Sequence, residues 1–351
     1  MVNRRGAIAL GSAGALIFSA TLLAQQTEKQ REELLKKETE TVIKFVDGLA
    51  ASASVPNDLS LTWVRDDLLK AEGNKQYVPY NVVIDPSKVT GGNVAIYCRV
   101  ASKAATTPEP PAPAGKKDDK KDKNKKNPEW QYEEISLVEV PSGQSGPMRI
   151  SRSFTVASGS YDVFVVVKEP TPKQKNAPAP KISVIKQAMN VPDLWNDELN
   201  TSSVIVFQRI DNLPAPLTPQ EMVSRPYSFG AMEIIPALDT KFTKKSELST
   251  FMLIYNAKTD SANKPDVSIE YSFYAKEAGG EKFYNKTNPQ NLNAGTLPPQ
   301  FDFAAGHELQ SAQAVPLASF PEGEYRLEIK VTDKLSNKSL TRDVNFTVSG
   351  S

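Results

Sequence analysis

The sequence has 351 residues, with 42 Lys and Arg against 41 Asp and Glu and a formal net charge of +1. This balance argues against nucleic acid as a partner, because single-strand binders line a basic groove with interleaved aromatic residues. Cys98 is the only cysteine and His307 the only histidine, which excludes an intramolecular disulfide and leaves a zinc site without enough ligands.

The N-terminal segment has the order of a secretory signal peptide. Arg4 and Arg5 precede the uncharged stretch 6–24, which is rich in Ala, Gly, Leu and Ile and ends at the small residue Ala24. We predict a signal peptide over residues 1–24, export to the periplasm or beyond, and no stable membrane span after cleavage. An uncleaved anchor is the alternative, since roughly 20 apolar residues span a bilayer.

Residues 25–52 are predicted to form an amphipathic helix. No proline interrupts this segment, and its apolar residues follow helical spacing: Leu34, Leu35, Val42, Phe45, Val46 and Leu49. The helix could pack on the domain that follows, act as a stalk, or dock a partner.

From residue 58 onward, short runs of alternating apolar residues indicate strands separated by turns. We predict a first β-sandwich over 58–192, with strands that include 80–84, 94–100, 130–140, 148–156 and 161–168. Cys98 shares a face with Ile96 and Val100, so a buried structural thiol is expected. No long helical segments alternate with the strands, which excludes a doubly wound α/β fold.

A Pro-rich and Lys-rich stretch, 104–128, interrupts the first sandwich and is predicted to be a disordered insertion. Between Gly115 and Asn127, seven lysines and three aspartates give a local charge of +4 (7 − 3). These lysines could contact anionic lipid, the peptidoglycan of the cell wall or a polysaccharide surface, or belong to a tolerated surface loop. They are Lys116, Lys117, Lys120, Lys121, Lys123, Lys125 and Lys126.

The second sandwich is predicted over 199–351. Its expected strands are 204–207, 227–235, 248–255, 267–274, a region near Phe301 and Phe303, 325–332 and 340–348. Seven or eight strands at this spacing are typical of an immunoglobulin-like sandwich. The predicted fold class is therefore mainly β, with two tandem immunoglobulin-like sandwiches after the signal peptide and helix.

One motif occurs in both sandwiches. Residues 159–167, Gly-Ser-Tyr-Asp-Val-Phe-Val-Val-Val, recur at 323–331 as Gly-Glu-Tyr-Arg-Leu-Glu-Ile-Lys-Val. The tyrosines are predicted to be corner or core residues whose hydroxyls bond the backbone. The first copy also places Phe164 and Val166 on its outward face, so we expect the helix, the other sandwich or a partner to cover them, with the helix or the other sandwich favoured.

The segments 320–327 and 331–333 resemble the closing hairpin of bacterial immunoglobulin-like domains, and 248–256 resembles a middle strand of secreted proteins associated with the GWxTD domain. The Gly-Trp-x-Thr-Asp signature itself is absent. The resemblance covers about 58–351 as a pattern and is strongest after 190. It implies an envelope or secreted β-sandwich protein and carries over no catalytic residues.

Catalytic patterns are poorly represented, and we predict neither an enzyme nor a cofactor or metal site. His307 lies in a loop context, and no Gly-x-Ser-x-Gly elbow is present. Asp66 and Asp67 would point to opposite faces of a strand, which is unsuitable for a paired acid and base. Asp193 and its acidic neighbours lack the spacing of a calcium loop.

Two classes of function remain. The first is an exported structural or interaction protein of the cell envelope, whose partner is another envelope protein or a cell-wall or polysaccharide surface. The alternatives are a carbohydrate- or cell-wall-binding module, with Trp195, Tyr227 and Phe229 as a stacking platform, or an accessory subunit of an envelope complex. The three rings lie near the predicted junction of the sandwiches, so packing between the sandwiches is favoured over a platform. Solvent exposure of all three rings would favour the carbohydrate-binding module, and burial would count against it.

Overall fold

The computed structural model describes residues 33, 35–48, 55–103, 130–141, 143–172, 174, 176–303 and 305–350. The predicted signal peptide and the insertion 104–128 lie outside these residues. A helix, α1, spans 35–48 within the predicted helical segment. Among the described residues, no helix combines the length and apolarity needed to cross a membrane.

The first eight strands form two sheets. They are β1 (Thr62–Asp66), β2 (Leu69–Ala71), β3 (Lys75–Ile84), β4 (Asn93–Ser102), β5 (Trp130–Glu139), β6 (Met148–Val156), β7 (Gly159–Lys168) and β8 (Ile182–Val191). Sheet I has the order β5-β4-β7-β8. In sheet II, β3 is the central strand and pairs with β1, β2 and β6. All pairings in both sheets are antiparallel.

The remaining twelve strands form two further sheets. They are β9 (Asn200–Thr201), β10 (Ile205–Asn212), β11 (Ser228–Phe229), β12 (Met232–Pro236), β13 (Lys241–Thr243), β14 (Glu247–Tyr255), β15 (Val267–Glu277), β16 (Gly280–Lys286), β17 (Gln290–Leu292), β18 (Leu309–Pro316), β19 (Gly323–Asp333) and β20 (Lys338–Ser349). Sheet III has the order β11-β12-β10-β14-β18, with β9 beside β14. Sheet IV has the order β13-β20-β19-β15-β16, with β17 beside β15. A short helix, α2 (Pro219–Met222), lies between β10 and β11.

Each pair of sheets encloses its own apolar core, which confirms the predicted mainly β fold with two tandem sandwiches. Alternate residues of β3 and β4 fill the core between sheets I and II, among them Tyr80, Val82, Ile96 and Cys98. Burial raises the pKa of the Cys98 thiol to about 12, as expected for an unreactive core residue. A second core, rich in Phe and Tyr, lies between sheets III and IV.

The duplicated motif forms the same corner in both sandwiches. The Tyr161 hydroxyl donates to the carbonyl of Ala157 at 2.9 Å, and the Tyr325 hydroxyl donates to the carbonyl of Pro321 at the same distance. The glycines that open the two strands have φ values of 156° and 155°, which favour a residue without a Cβ. The predicted role of the tyrosines is therefore confirmed.

Helix α1 covers the outward face of sheet I. Val42 and Val46 of the helix are buried against Tyr97, Val166 and Val184 of the sheet. This finding confirms that the apolar outward face of β7 is a packing surface.

A buried ion pair fixes the helix in place. The Lys168 ammonium lies 2.5 Å from the Glu38 carboxylate, and the Thr171 backbone N–H donates to its other oxygen at 2.7 Å. Burial alone would raise the pKa of Glu38, but the hydrogen bonds from Lys168 and Thr171 lower it overall.

The prediction of a strand near Phe301 and Phe303 is wrong. The two rings instead pack edge to face, 5.1 Å apart, in a loop over the end of the core. The strand at this point of the chain is β18, whose alternation is hidden because the buried inward position 311 is a serine. Its hydroxyl lies 2.5 Å from that of Tyr271, which satisfies both groups inside the core.

Replacing Tyr325→Phe is expected to lower the free energy of unfolding by about 1–2 kcal/mol, because the carbonyl of Pro321 loses its donor. Tyr284→Phe is the matched control, since its hydroxyl bonds a carbonyl in an exposed setting. Urea denaturation measures both variants, and equal losses would contradict the corner's role.

Replacing Glu38→Gln is expected to cost about 3–5 kcal/mol of unfolding free energy, because it leaves the buried Lys168 ammonium without its counter-charge. Since the folded-state pKa of Glu38 lies below its ordinary value of 4.5, the contribution is complete above pH 4.5 and is lost as the pH falls through the folded-state pKa. Urea denaturation across this pH range checks both expectations. Glu40→Gln, an exposed change on the same helix, should show neither effect.

Candidate functional site at the junction of the sandwiches

The two sandwiches meet through the apolar faces of sheets II and III. Strand β14 is buried on both faces, because Phe251, Leu253 and Tyr255 face the junction while Met252 and Ile254 face the second core. Further junction residues come from both sandwiches and the connecting segment: Leu69, Tyr77, Leu194, Ile205, Phe207, Tyr227 and Ile234. The junction therefore has an apolar core of its own.

A polar network crosses this junction. The Arg65 guanidinium donates to the Asp67 carboxylate at 2.8 Å and to the carbonyls of Val204 and Val206 at 3.2 and 3.0 Å. The Tyr227 hydroxyl donates to the other Asp67 oxygen at 2.8 Å and accepts from the Asn81 side chain at 3.1 Å. We call these four side chains (Arg65, Asp67, Asn81 and Tyr227) the junction network.

Asp67 is the buried charge at the centre of the junction network, with a relative exposure of 1%. Burial raises its pKa, although the charge and hydrogen bonds of Arg65 and the hydroxyl of Tyr227 act in the opposite direction. A carboxylate buried in this way is tolerated because donors from both sandwiches reach it. The Asp67 carboxylate therefore joins the two sandwiches by accepting hydrogen bonds from both.

Beside the network, a cleft of about 700 Å³ opens between the sandwiches, within the size range of ligand pockets. We call it the junction cleft. Sheet II, the connecting segment and the second sandwich all contribute to its walls: Lys70, Ala71, Glu72, Trp195, Ile254, Tyr255, Asn256, Ala257, Thr259, Phe303, Gly306, His307 and Glu308.

Lys70 lies among aromatic rings in this cleft. Its ammonium is 4.4 Å from the centroid of the Trp195 ring, 5.1 Å from that of Tyr255, and 2.5 Å from the side-chain oxygen of Asn256. The Trp195 indole N–H donates to the carbonyl of Lys75 at 2.9 Å, which orients the ring. Burial lowers the pKa of Lys70, against the opposing charges of Asp197 and Asp193.

The opposite wall carries His307 and Glu308. The His307 Nδ1 accepts the backbone N–H of Asp302 at 3.0 Å, which ties the ring to its own loop. The Glu308 side chain has no hydrogen-bond or ion-pair partner within the described part of the chain, and desolvation raises its pKa. His307 and Glu308 are both exposed at the mouth of the cleft.

The aromatic residues selected from the sequence occupy different environments. Trp195 is 37% exposed in the cleft, Tyr227 is buried in the junction network, and Phe229 packs against Phe251 at 5.7 Å. A shared exposed platform of Trp195, Tyr227 and Phe229 is therefore not formed. The seven lysines of the insertion lie outside the described residues, and no metal-holding group of His, Cys, Asp and Glu occurs among those described.

Sequence reasoning missed Lys70, Tyr255 and Glu308. These residues are far apart in the chain and share no motif, so only the docking of the two sandwiches brings them together. The sequence offers one weak indication of this site, at Asn256. Asparagine is enriched at positive φ, and the φ of Asn256 is 60°.

No family model and no curated protein matches the chain. One similar solved structure is a mutant of Salmonella alpha-2-macroglobulin, with 11% sequence identity and a TM-score of 0.19. The match covers 84% of this chain and 17% of that protein, so the chain spans only a small part of its length.

Replacing Tyr227→Phe is expected to lower the free energy of unfolding by about 1–3 kcal/mol, because Asp67 and Asn81 lose a buried partner. It should also separate the unfolding of the two sandwiches into distinct denaturation transitions, detected by chemical denaturation with limited proteolysis.

The matched control is Tyr271→Phe, which removes a buried hydroxyl inside the second sandwich alone. This variant should lose stability without opening the junction. Identical behaviour of the two variants would show that the hydroxyl of Tyr227 does not couple the sandwiches.

Proposed function

We propose that this chain is an exported, non-catalytic interaction protein of the cell envelope. The observation that carries the proposal is the junction, where buried polar and apolar contacts hold two sandwiches together around a preformed cleft. A preformed surface avoids part of the ordering cost of binding, which suits recognition.

The roles of the ionisable groups support this function. Asp67, the most buried carboxylate of the junction, is held by Arg65 and Tyr227, and the ring of His307 is held by its own loop. The unpaired Glu308 stands at an exposed position suited to contacting another molecule. The proposal of export rests on residues 1–24, with their arginine pair, apolar stretch and small residue.

A carbohydrate- or cell-wall-binding module is the second candidate. The observation that favours it is the exposed part of the Trp195 ring, because aromatic faces contribute to ligand pockets together with a few polar groups. Lys70 covers the ring on one side, however, which limits stacking of a sugar.

A photo-crosslinking residue placed at Trp195 should yield discrete adducts with an envelope protein in the cells that produce this chain. The same residue at Lys330, exposed on the outer face of sheet IV, is the control for random contacts. Mass spectrometry identifies the adducts, and cell fractionation locates the chain. Retention in the cytoplasm, or the absence of adducts specific to position 195, would contradict the proposal.

A further inference from the structure

The junction cleft has an excess of negative charge. Its lining includes two carboxylates, Glu72 and Glu308, and one ammonium, that of Lys70. Asp193 and Asp197 lie close enough to act electrostatically on Lys70. The charged side chains of the lining sum to −1 (1 − 2), and the two aspartates add negative potential at Lys70, so the cleft favours a cationic group.

Neither lining carboxylate is neutralised by another described residue. Within the described ranges, the side chains of Glu72 and Glu308 have no hydrogen bond or ion pair. The ammonium of Lys70 is engaged by the side-chain oxygen of Asn256 and by two rings. A second cation would therefore meet two acceptors that the ammonium of Lys70 does not occupy.

The rings of the cleft already stabilise one cation. The ammonium of Lys70 lies within 6 Å of the centroids of Trp195 and Tyr255, the range in which cation–π attraction acts. Phe303 and His307 extend this aromatic lining towards Glu308. Electron-rich rings next to an unpaired carboxylate are a suitable setting for an alkylammonium group.

We propose that the junction cleft binds a lysine-bearing peptide segment of a partner protein, with a lysine ammonium at Glu308 and its alkyl chain along the aromatic wall. This inference rests on the proposed interaction function and specifies its partner chemistry. A peptide fits because the cleft, at about 700 Å³, has room for more than a single side chain. An anionic ligand would meet two uncompensated carboxylates, which opposes its binding.

The test uses the chain from Gln25 onward and a short fluorescein-labelled peptide of alternating Lys and Ser, with an acetyl-lysine version of the same peptide as the neutral control. Fluorescence anisotropy should show binding of the lysine peptide that weakens as salt is added, and at least about tenfold weaker binding of the acetylated peptide. Equal affinity for the two peptides would overturn the proposal.

Glu308→Gln should weaken lysine-peptide binding about tenfold, because it removes the charge that faces the ammonium. Its exposed and unpaired carboxylate makes no contact on which folding depends. Glu270→Gln, the same change on the outer face of sheet IV, is the matched control and should leave the affinity unchanged. Unchanged affinity for Glu308→Gln, or displacement of the peptide by a neutral oligosaccharide, would overturn the assignment.

If crosslinks from position 195 persist while the peptide fails to bind, the peptide assignment fails and the interaction function stands. Failure of export would leave the binding measurement unaffected.

Discussion

The arrangement of the two sandwiches depends on a buried carboxylate that is shared between them. Asp67 belongs to the first sandwich, but one of its hydrogen-bond donors, the hydroxyl of Tyr227, comes from the second. Apolar faces alone fix relative orientation weakly, because the hydrophobic effect is non-directional. Hydrogen bonds to a buried charge are directional and costly to break, so the junction network selects one orientation of the sandwiches. The junction cleft exists only in that orientation.

The covered faces account for the unusual apolar content of several strands. The apolar clusters place α1 on sheet I, sheet I on sheet II, sheet II on sheet III, and sheet III on sheet IV. Strands inside such a stack are buried on both faces, as β4 and β14 are, and show continuous apolar runs instead of alternation. No described residue covers the outer face of sheet IV in this way, and there Arg326 bonds Glu281, Glu328 and Asp343.

Much of the fold could be predicted from local pattern. The repeated Gly-x-Tyr strands and the buried Cys98 follow from spacing alone, whereas spacing predicts only that the apolar outward face of β7 is covered, not that the helix covers it. The strand β18 could not be predicted, because Ser311 occupies an inward position and is satisfied by Tyr271 and Gln290, which are 40 and 21 residues away. The junction could not be predicted for the same reason, since Asp67 and its partner Tyr227 are 160 residues apart in the sequence. The sequence favours Tyr227 as a ring packed between the sandwiches, and only its contact with Asp67 shows that its hydroxyl is a buried donor.

The most direct test of the account is the distance distribution between the two sandwiches in solution. Spin labels at Ala188→Cys on sheet I and Lys330→Cys on sheet IV occupy exposed positions, and the native Cys98 is buried. Pulsed electron paramagnetic resonance should give one narrow distance distribution, because the junction fixes the sandwiches relative to each other. A broad or multimodal distribution would contradict the claim that the junction forms one rigid unit with a preformed cleft.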